Sequence, residues 1–162
     1  MQEMTLSLLF LRKEDQVLLA MKKRGFGMDR WNGVGGKVEP GETIEQAMVR
    51  ETQEEIGIVP TNYQKVGLIT FDEHFKGKPT IMKVHVFISN SWKNKPIETE
   101  EMRPKWFNVE NVPYDSMWPD DPYWLPQVLN GKKVRGLFKL DKNDNIIEHN
   151  IEEVETVIRH ET

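Results

Sequence analysis

The chain has 162 residues, 38% of them hydrophobic, and a formal net charge of −4. That length suits one domain with a real core, and the acidic balance argues against duplex binding, which relies on many basic contacts. With no cysteine, disulfides, thiol nucleophiles and Cys-ligated zinc are excluded, and no apolar stretch approaches the ~20 residues that span a bilayer.

Thr5 to Leu11 is an apolar run that reads as a first strand. No basic leader precedes it and no cleavage site follows, so a cytoplasmic protein is expected. Lys13-Glu14-Asp15-Gln16 makes a polar turn into a second run, Val17 to Met21, and the two runs form a hairpin. Lys22 to Gly27 is a basic, glycine-bearing loop. Trp31 to Lys37 (WNGVGGK) feeds a short strand. Thr43 then opens a helix of about 13 residues, Ile44 to Ile56, with Gln46 completing a capping box and Gly57 stopping it. Tyr63 to Phe71 and Ile81 to Ser89 are β-rich runs, with Asp72 to Thr80 between them as a loop. Asn90 to Pro96 is polar and loop-like. Lys105-Trp106-Phe107 is a short strand. Tyr123 to Leu129 is a second helix, ended by Asn130-Gly131. Val134 to Leu140 and Ile146 to Ile151 flank a hairpin-like turn at Asp141 to Asn145. That turn lacks the glycine of a calcium loop, Ile146 standing in its place. Residues 152–162 are charged and are expected to fray or form a short helix. No repeat or linker divides the chain. Strands interrupted by two helices suit an α/β sandwich.

The first helix carries the chemistry. On a wheel advancing about 100° per residue, Ile44, Ala47, Met48, Thr52 and Ile56 form one inward arc. Glu51 and Glu55 fall on that arc, whereas an ordinary solvated helix turns its acids outward. Acids on a buried stripe are costly unless paired or bound to a cation. Glu51, Glu54 and Glu55 stand at i, i+3 and i+4 and share one turn. Such an oxygen cluster suits Mg²⁺, which shares its shell with substrate phosphates, and Mn²⁺ is a plausible substitute. Arg50 is placed to orient a neighbouring carboxylate. Taken alone, three acids in five residues more often make a charged amphipathic face. Their place on the apolar side and the glycine-rich loop before them favour the metal site.

Gly36, Glu42, Arg50, Glu51, Glu54, Glu55 and Gly57 in GKVEPGETIEQAMVRETQEEIGI match the Nudix box residue for residue. The chain therefore resembles the Nudix hydrolases. That resemblance implies a central mixed sheet between helices and a loop–helix–loop box, with Gly36, Glu51, Glu54, Glu55 and Glu101 as metal-site residues. The likeness reaches beyond the box. MKKRGFG, RWNGVGGK, EMRPKWF and MWPDDPYW are similar to the oxidised-purine nucleoside triphosphatases, the MutT homologues that clear 8-oxo-dGTP from the nucleotide pool. By that resemblance Asn32, Asp120 and Asp121 contact the base edge, and Trp118 and Phe26 sandwich or wall the ring. Met82, Met102 and Phe71 line the pocket, Ser7 is its hydroxyl residue, and Lys22 reaches toward the ligand. Locally, Asp120-Asp121-Pro122 is also an ordinary helix N-cap. Other diphosphate substrates, ADP-ribose among them, or a nucleotide sensor without catalysis, stay open. The expected partner is a small nucleotide, with no nucleic acid and no membrane, and the family implies a monomer.

Overall fold

The computed structural model describes residues 1–157. Two strands open the fold, β1 (Gln2–Lys13) and β2 (Gln16–Lys22), antiparallel about the Glu14-Asp15 turn. In β1, Leu8 and Phe10 enter one core cluster while Leu9 and Leu11 enter another. In β2, Val17 and Leu19 divide from Leu18 and Ala20 in the same way. Both faces of these strands are buried, which is why their apolar runs are continuous rather than alternating.

A two-residue strand, β3 (Trp31–Asn32), precedes helix α1 (Ile44–Ile56). Then come β4 (Val59–Phe75), β5 (Lys78–Lys93), β6 (Met102–Asn108), two short 3-10 turns, helix α2 (Asp121–Leu129), β7 (Lys133–Leu140) and β8 (Ile146–Val154). The sheet runs β3-β2-β1-β5-β4-β7-β8, with β6 on β2. The β1/β5 and β4/β7 pairs are parallel and the others antiparallel, so the sheet is mixed. Helix α1 sends Ile44, Met48 and Ile56 into the cluster of Leu9 and Phe87. Helix α2 sends Trp124, Leu125 and Val128 into the cluster of Leu8 and Phe10. The result is the expected α/β sandwich with a helix on each face.

The structure corrects several boundaries. The segment Asp72 to Thr80 is no loop: β4 and β5 pair down to Phe75 and Lys78. Lys76 and Gly77, at φ 53° and 77°, make the tight hairpin turn alone, the left-handed geometry that suits a two-residue connection. Strand β5 runs on to Lys93, into the stretch read as loop, and α2 begins two residues before Tyr123. Strand β6 starts at Met102 and includes Pro104; among the described residues it pairs with β2 alone, and an edge strand tolerates proline. The charged tail is ordered through Val154 by pairing with β7. Residues 158–162, also assigned to the tail, lie outside the described residues. The turn at Asp141 is closed by its own carboxylate, which accepts from the Asn143 and Asn145 N–H groups at 2.8 and 3.0 Å.

Candidate active site

The sequence of α1 sets both ends of the helix. Thr43 Oγ1 accepts the Gln46 N–H at 3.1 Å while Gln46 Oε1 accepts the Thr43 N–H at 2.9 Å. Gly57 closes the helix in the left-handed region at φ 75°. Thr52, at an otherwise apolar helix position, is buried and its hydroxyl donates to the Met48 carbonyl at 2.8 Å, so no polar atom there is left without a partner.

Arg50 organises the carboxylates. Its guanidinium donates to both oxygens of Glu42, at 2.7 and 2.9 Å, to Glu51 at 2.8 Å and to Glu54 at 3.3 Å. It also donates to the Lys37 carbonyl at 3.2 Å, tying the loop to the helix. The bidentate contact holds the Glu42 carboxyl down at about 2, through the Arg50 hydrogen bond first and the Glu39 backbone second. Glu55 faces the opposite situation. It is 8% exposed, and burial, then the charge of Glu51, push its carboxyl up to about 8. The Gly35 N–H donates to Glu55 at 3.0 Å. Glu51 is also raised, by burial, against the pull of Arg50. Glu54 stays exposed. Glu101 lies just before β6, 3.5 Å from Arg24, and its charge is felt by Glu55.

The loop before α1 allows backbone to approach these acids. A Cβ on Gly36 would stand 2.6 Å from the Glu51 carboxyl carbon, and a Cβ on Gly35 would collide with the Ser7 carbonyl. Only glycine fits at position 35, against backbone, while a side chain at position 36 would push the Glu51 carboxylate aside. Ser7 Oγ sits 3.4 Å from both the carbonyl and the N–H of Gly36. Among the described residues no group of three His, Cys, Asp or Glu side chains closes into a complete metal cage. Glu51 and Glu55, with the glycine loop against Glu51, make a partial oxygen set. Two raised carboxylates on a buried helix face fit a divalent cation that takes its other ligands from phosphate and water. The three box acids therefore do not form one equal cluster: the helix turns Glu54 toward solvent.

A cavity of about 230 Å³ opens beside Glu55. Ser7, Lys22, Phe26, Asn32, Phe71, Met82, Met102, Trp118, Asp120 and Asp121 all border it, with Gly36 and Glu55 at one end. Phe71 rather than Phe75 faces this cavity; Phe75 packs on Phe26 at 5.6 Å between ring centroids. Asp120 and Asp121 are 8% and 2% exposed. Asp120 accepts the Trp124 indole N–H at 2.8 Å, and Asp121 accepts the Trp118 backbone N–H at 3.1 Å. Asp120 stands at the N-cap position yet makes no side-chain cap bond, so the ordinary capping role is not the one its carboxylate fills. Burial raises both carboxyls, the charge of Asp120 adds to the rise in Asp121, and Arg30 opposes the rise in each. Two buried neighbouring aspartates of this kind share protons rather than both ionising. Asn32 uses its side-chain oxygen to accept the Gly33 N–H at 2.8 Å, and its amide N–H₂ and second oxygen lone pair are left for a ligand. Phe26 and Trp118 stack on each other at 5.1 Å and 30°. A base between two rings needs ~7 Å, two van der Waals spacings. The two rings thus form one wall and not an open sandwich.

Sequence reading missed four residues that shape this cavity. Arg30 lies over the Trp118 ring at 4.2 Å and donates to the Met117 carbonyl at 3.3 Å. Trp124 holds Asp120. Glu73 and Asp144 add acids to the rim. The period-two series Ile69, Phe71, Glu73 was the available signal for Glu73. The other three are joined to the site only by tertiary folding.

The fold and this carboxylate-bearing loop–helix–loop define the class. The NUDIX domain profile matches residues 1–128, and the chain belongs to that family. At the level of single proteins, the oxidized purine nucleoside triphosphate hydrolases of Danio rerio and Mus musculus are each 45% identical to it over 150 residues. Those alignments cover 93% of this chain and 95% of each relative. Among solved structures, a MutT protein from Bacillus halodurans superposes with a TM-score of 0.80 at 23% identity, covering 92% of this chain and 97% of that one. No helix among the described residues is long and apolar enough to cross a membrane.

Proposed function

We propose that this Nudix protein hydrolyses oxidised purine nucleoside triphosphates, 8-oxo-dGTP first and 2-oxo-dATP as a further candidate, to the monophosphate and pyrophosphate, so clearing damaged precursors from the nucleotide pool. The observation that carries this reading is the buried Asp120-Asp121 pair in an aromatic cavity that also reaches the Glu55 carboxylate and Gly36. The names of the two animal relatives support it.

An oxidised guanine keeps donors at N1 and N2, which a carboxylate accepts, while a protonated acid can donate to a carbonyl. An aspartate pair that shares protons can meet either pattern, which is how one pocket would take both oxidised guanine and oxidised adenine. Nudix hydrolases generally use a divalent cation. Here Mg²⁺, with Mn²⁺ as substitute, would be held by Glu51, Glu55 and the Gly36 carbonyl, and it would supply positive charge against the phosphate oxygens. Glu54 and Glu101 flank that set. Arg50 positions Glu51 and Glu54. Lys22, whose charge reaches Glu55, adds a cation near the phosphates. Glu54 or Glu55 orients the attacking water. The protein works as a cytoplasmic monomer in this reading.

The test is kcat/KM with Mg²⁺ for 8-oxo-dGTP, 2-oxo-dATP and dGTP, followed by pyrophosphate release. A preference of about 10²-fold or more for an oxidised base is expected, larger than one altered apolar contact provides. Equal rates for all three would remove the base assignment and leave a Nudix hydrolase of another substrate, with ADP-ribose next to try. Asp120→Asn and Asp121→Asn should each lower that preference and change its pH profile. Variants with unaltered profiles would dismiss the shared-proton pair.

A further inference from the structure

Strand β4 places successive odd residues on the cavity wall. Ile69 and Phe71 line it, and Glu73 is the next in the series, where an apolar side chain would suit the wall. Glu73 is half-buried, and no hydrogen bond or ion pair of its side chain is found among the described residues. The charges it meets are negative: Asp144 on the β7–β8 turn and Asp120 at the start of α2. The basic groups bordering the cavity are Lys22 and Arg30, and Arg30 is engaged with Trp118 and the Met117 carbonyl. A half-buried carboxylate without a cation gains most from a donor brought by the ligand.

We propose that Glu73 is a specificity-determining residue: from the β4 wall its carboxylate accepts a hydrogen bond from the N7–H that an 8-oxo purine carries and an ordinary purine lacks. The inference rests on the function proposed above and deepens it. With the Asp120 and Asp121 carboxyls assigned to the N1 and N2 side of the ring, the five-membered ring is left to another wall. An ordinary purine offers a lone pair at N7, which a carboxylate repels. Oxidation at C8 puts a proton there, which a carboxylate accepts. The same change occurs in guanine and adenine, so Glu73 reads the lesion and the aspartates read the base.

The titration of Glu73 gives the idea a second signature. Burial, then the charges of Asp144 and Asp120, push its carboxyl up to about 7. Once protonated, Glu73 can donate to an ordinary N7, and discrimination against it fades. The groups that share its surroundings are Asp120 and Asp121 from α2, Asp144 from the β7–β8 turn, Lys22 from β2 and Arg30 from the loop before β3, with Glu55 at the far end.

The test compares wild type with Glu73→Leu and Glu73→Gln on three substrate pairs. For Glu73→Leu, the kcat/KM ratios 8-oxo-dGTP to dGTP and 8-oxo-dATP to dATP should fall about tenfold or more, the scale of one hydrogen bond to a charged group. The ratio of 2-oxo-dATP to dATP, with an ordinary N7 in both, should move by less than about threefold. The wild-type 8-oxo ratios should fall as pH drops through about 7, while Glu73→Gln, which can both donate and accept, loses that step and keeps only the pH dependence that the aspartate pair imposes. Binding of 8-oxo-dGMP against dGMP, measured by calorimetry without metal, should repeat the loss seen with Glu73→Leu. If all ratios fall together, or none moves, Glu73 only supports the wall and the inference is overturned. A wild type that shows no preference for oxidised purines brings down the proposed function and this inference with it. A preference that survives in both variants brings down this inference alone.

Discussion

Glu54 and Glu55 are neighbours in the chain and stand in different media. Glu54 is exposed and shares Arg50 at 3.3 Å. Glu55 is buried and anchored by the Gly35 N–H. A carboxylate in the second setting keeps its charge only with help from a cation, so the metal-dependent step should rest more on Glu55. Glu55→Gln is expected to lower kcat by about 10²-fold or more, the range of a lost catalytic acid or base, while nucleotide binding remains measurable. Glu54→Gln should lose less. Single-turnover kinetics beside a direct binding titration would check both, and near-normal turnover in Glu55→Gln would sink the metal assignment. Arg50 acts through others: Arg50→Lys keeps the charge and loses the bidentate hold on Glu42. It should therefore lower kcat with little change in KM.

At the scale of elements, α1 was legible from end to end because its signals are local. A capping hydroxyl, a glutamine three places on and a terminal glycine each act within a few residues. Thr43→Ala removes one of those signals and is expected to destabilise the protein by about 1 kcal/mol, read as a lower urea midpoint at unchanged m-value. The β4–β5 hairpin was illegible at its tip for the opposite reason. Asp72, Glu73 and His74 look like loop composition, yet each has its strand partner across the ladder, Ile81, Thr80 and Pro79. Strand pairing at that distance from the core depends on the neighbouring chain, which no local pattern records. The same holds for the site. The carboxylate end of the proposed site was readable because its acids sit on one helix. The proposed base end needed the family likeness, since Asn32, Met82, Trp118 and Asp120 come from separate stretches of the chain. Nothing in the chain's local pattern showed that Phe26 and Trp118 rest against each other.

Across the whole molecule, one end-to-end cavity gathers acids that folding would rather keep neutral. Glu55, Glu73, Asp120 and Asp121 are all raised, chiefly by burial. Between the ordinary carboxylate range and about 8, the unfolded chain has released these protons and the folded chain still holds some of them. The unfolded state then binds fewer protons, so stability falls as pH rises through that window. The lowered carboxyls, Glu42 and Asp141, act in the opposite sense only at more acid pH. Metal-free protein should therefore melt at a progressively lower temperature from about pH 5 to 8, and Mg²⁺ should restore most at the alkaline end. Thermal scans with chelator and with Mg²⁺ would check this. A melting temperature that rises over the same range without metal would contradict the burial of these acids.

The closed contact between Phe26 and Trp118 bears on how products leave. The stacked rings present one aromatic wall, and a flat base laid on it gains ~0.5–1.5 kcal/mol beyond its buried area. Pyrophosphate has no ring face to offer it. Of the two products of the proposed reaction, the monophosphate is the one this wall would retain. Turnover should accordingly slow as the monophosphate accumulates, with competitive inhibition by it and little by pyrophosphate, so in a pool of damaged precursors the enzyme's pace would depend on how quickly its own nucleotide product is cleared.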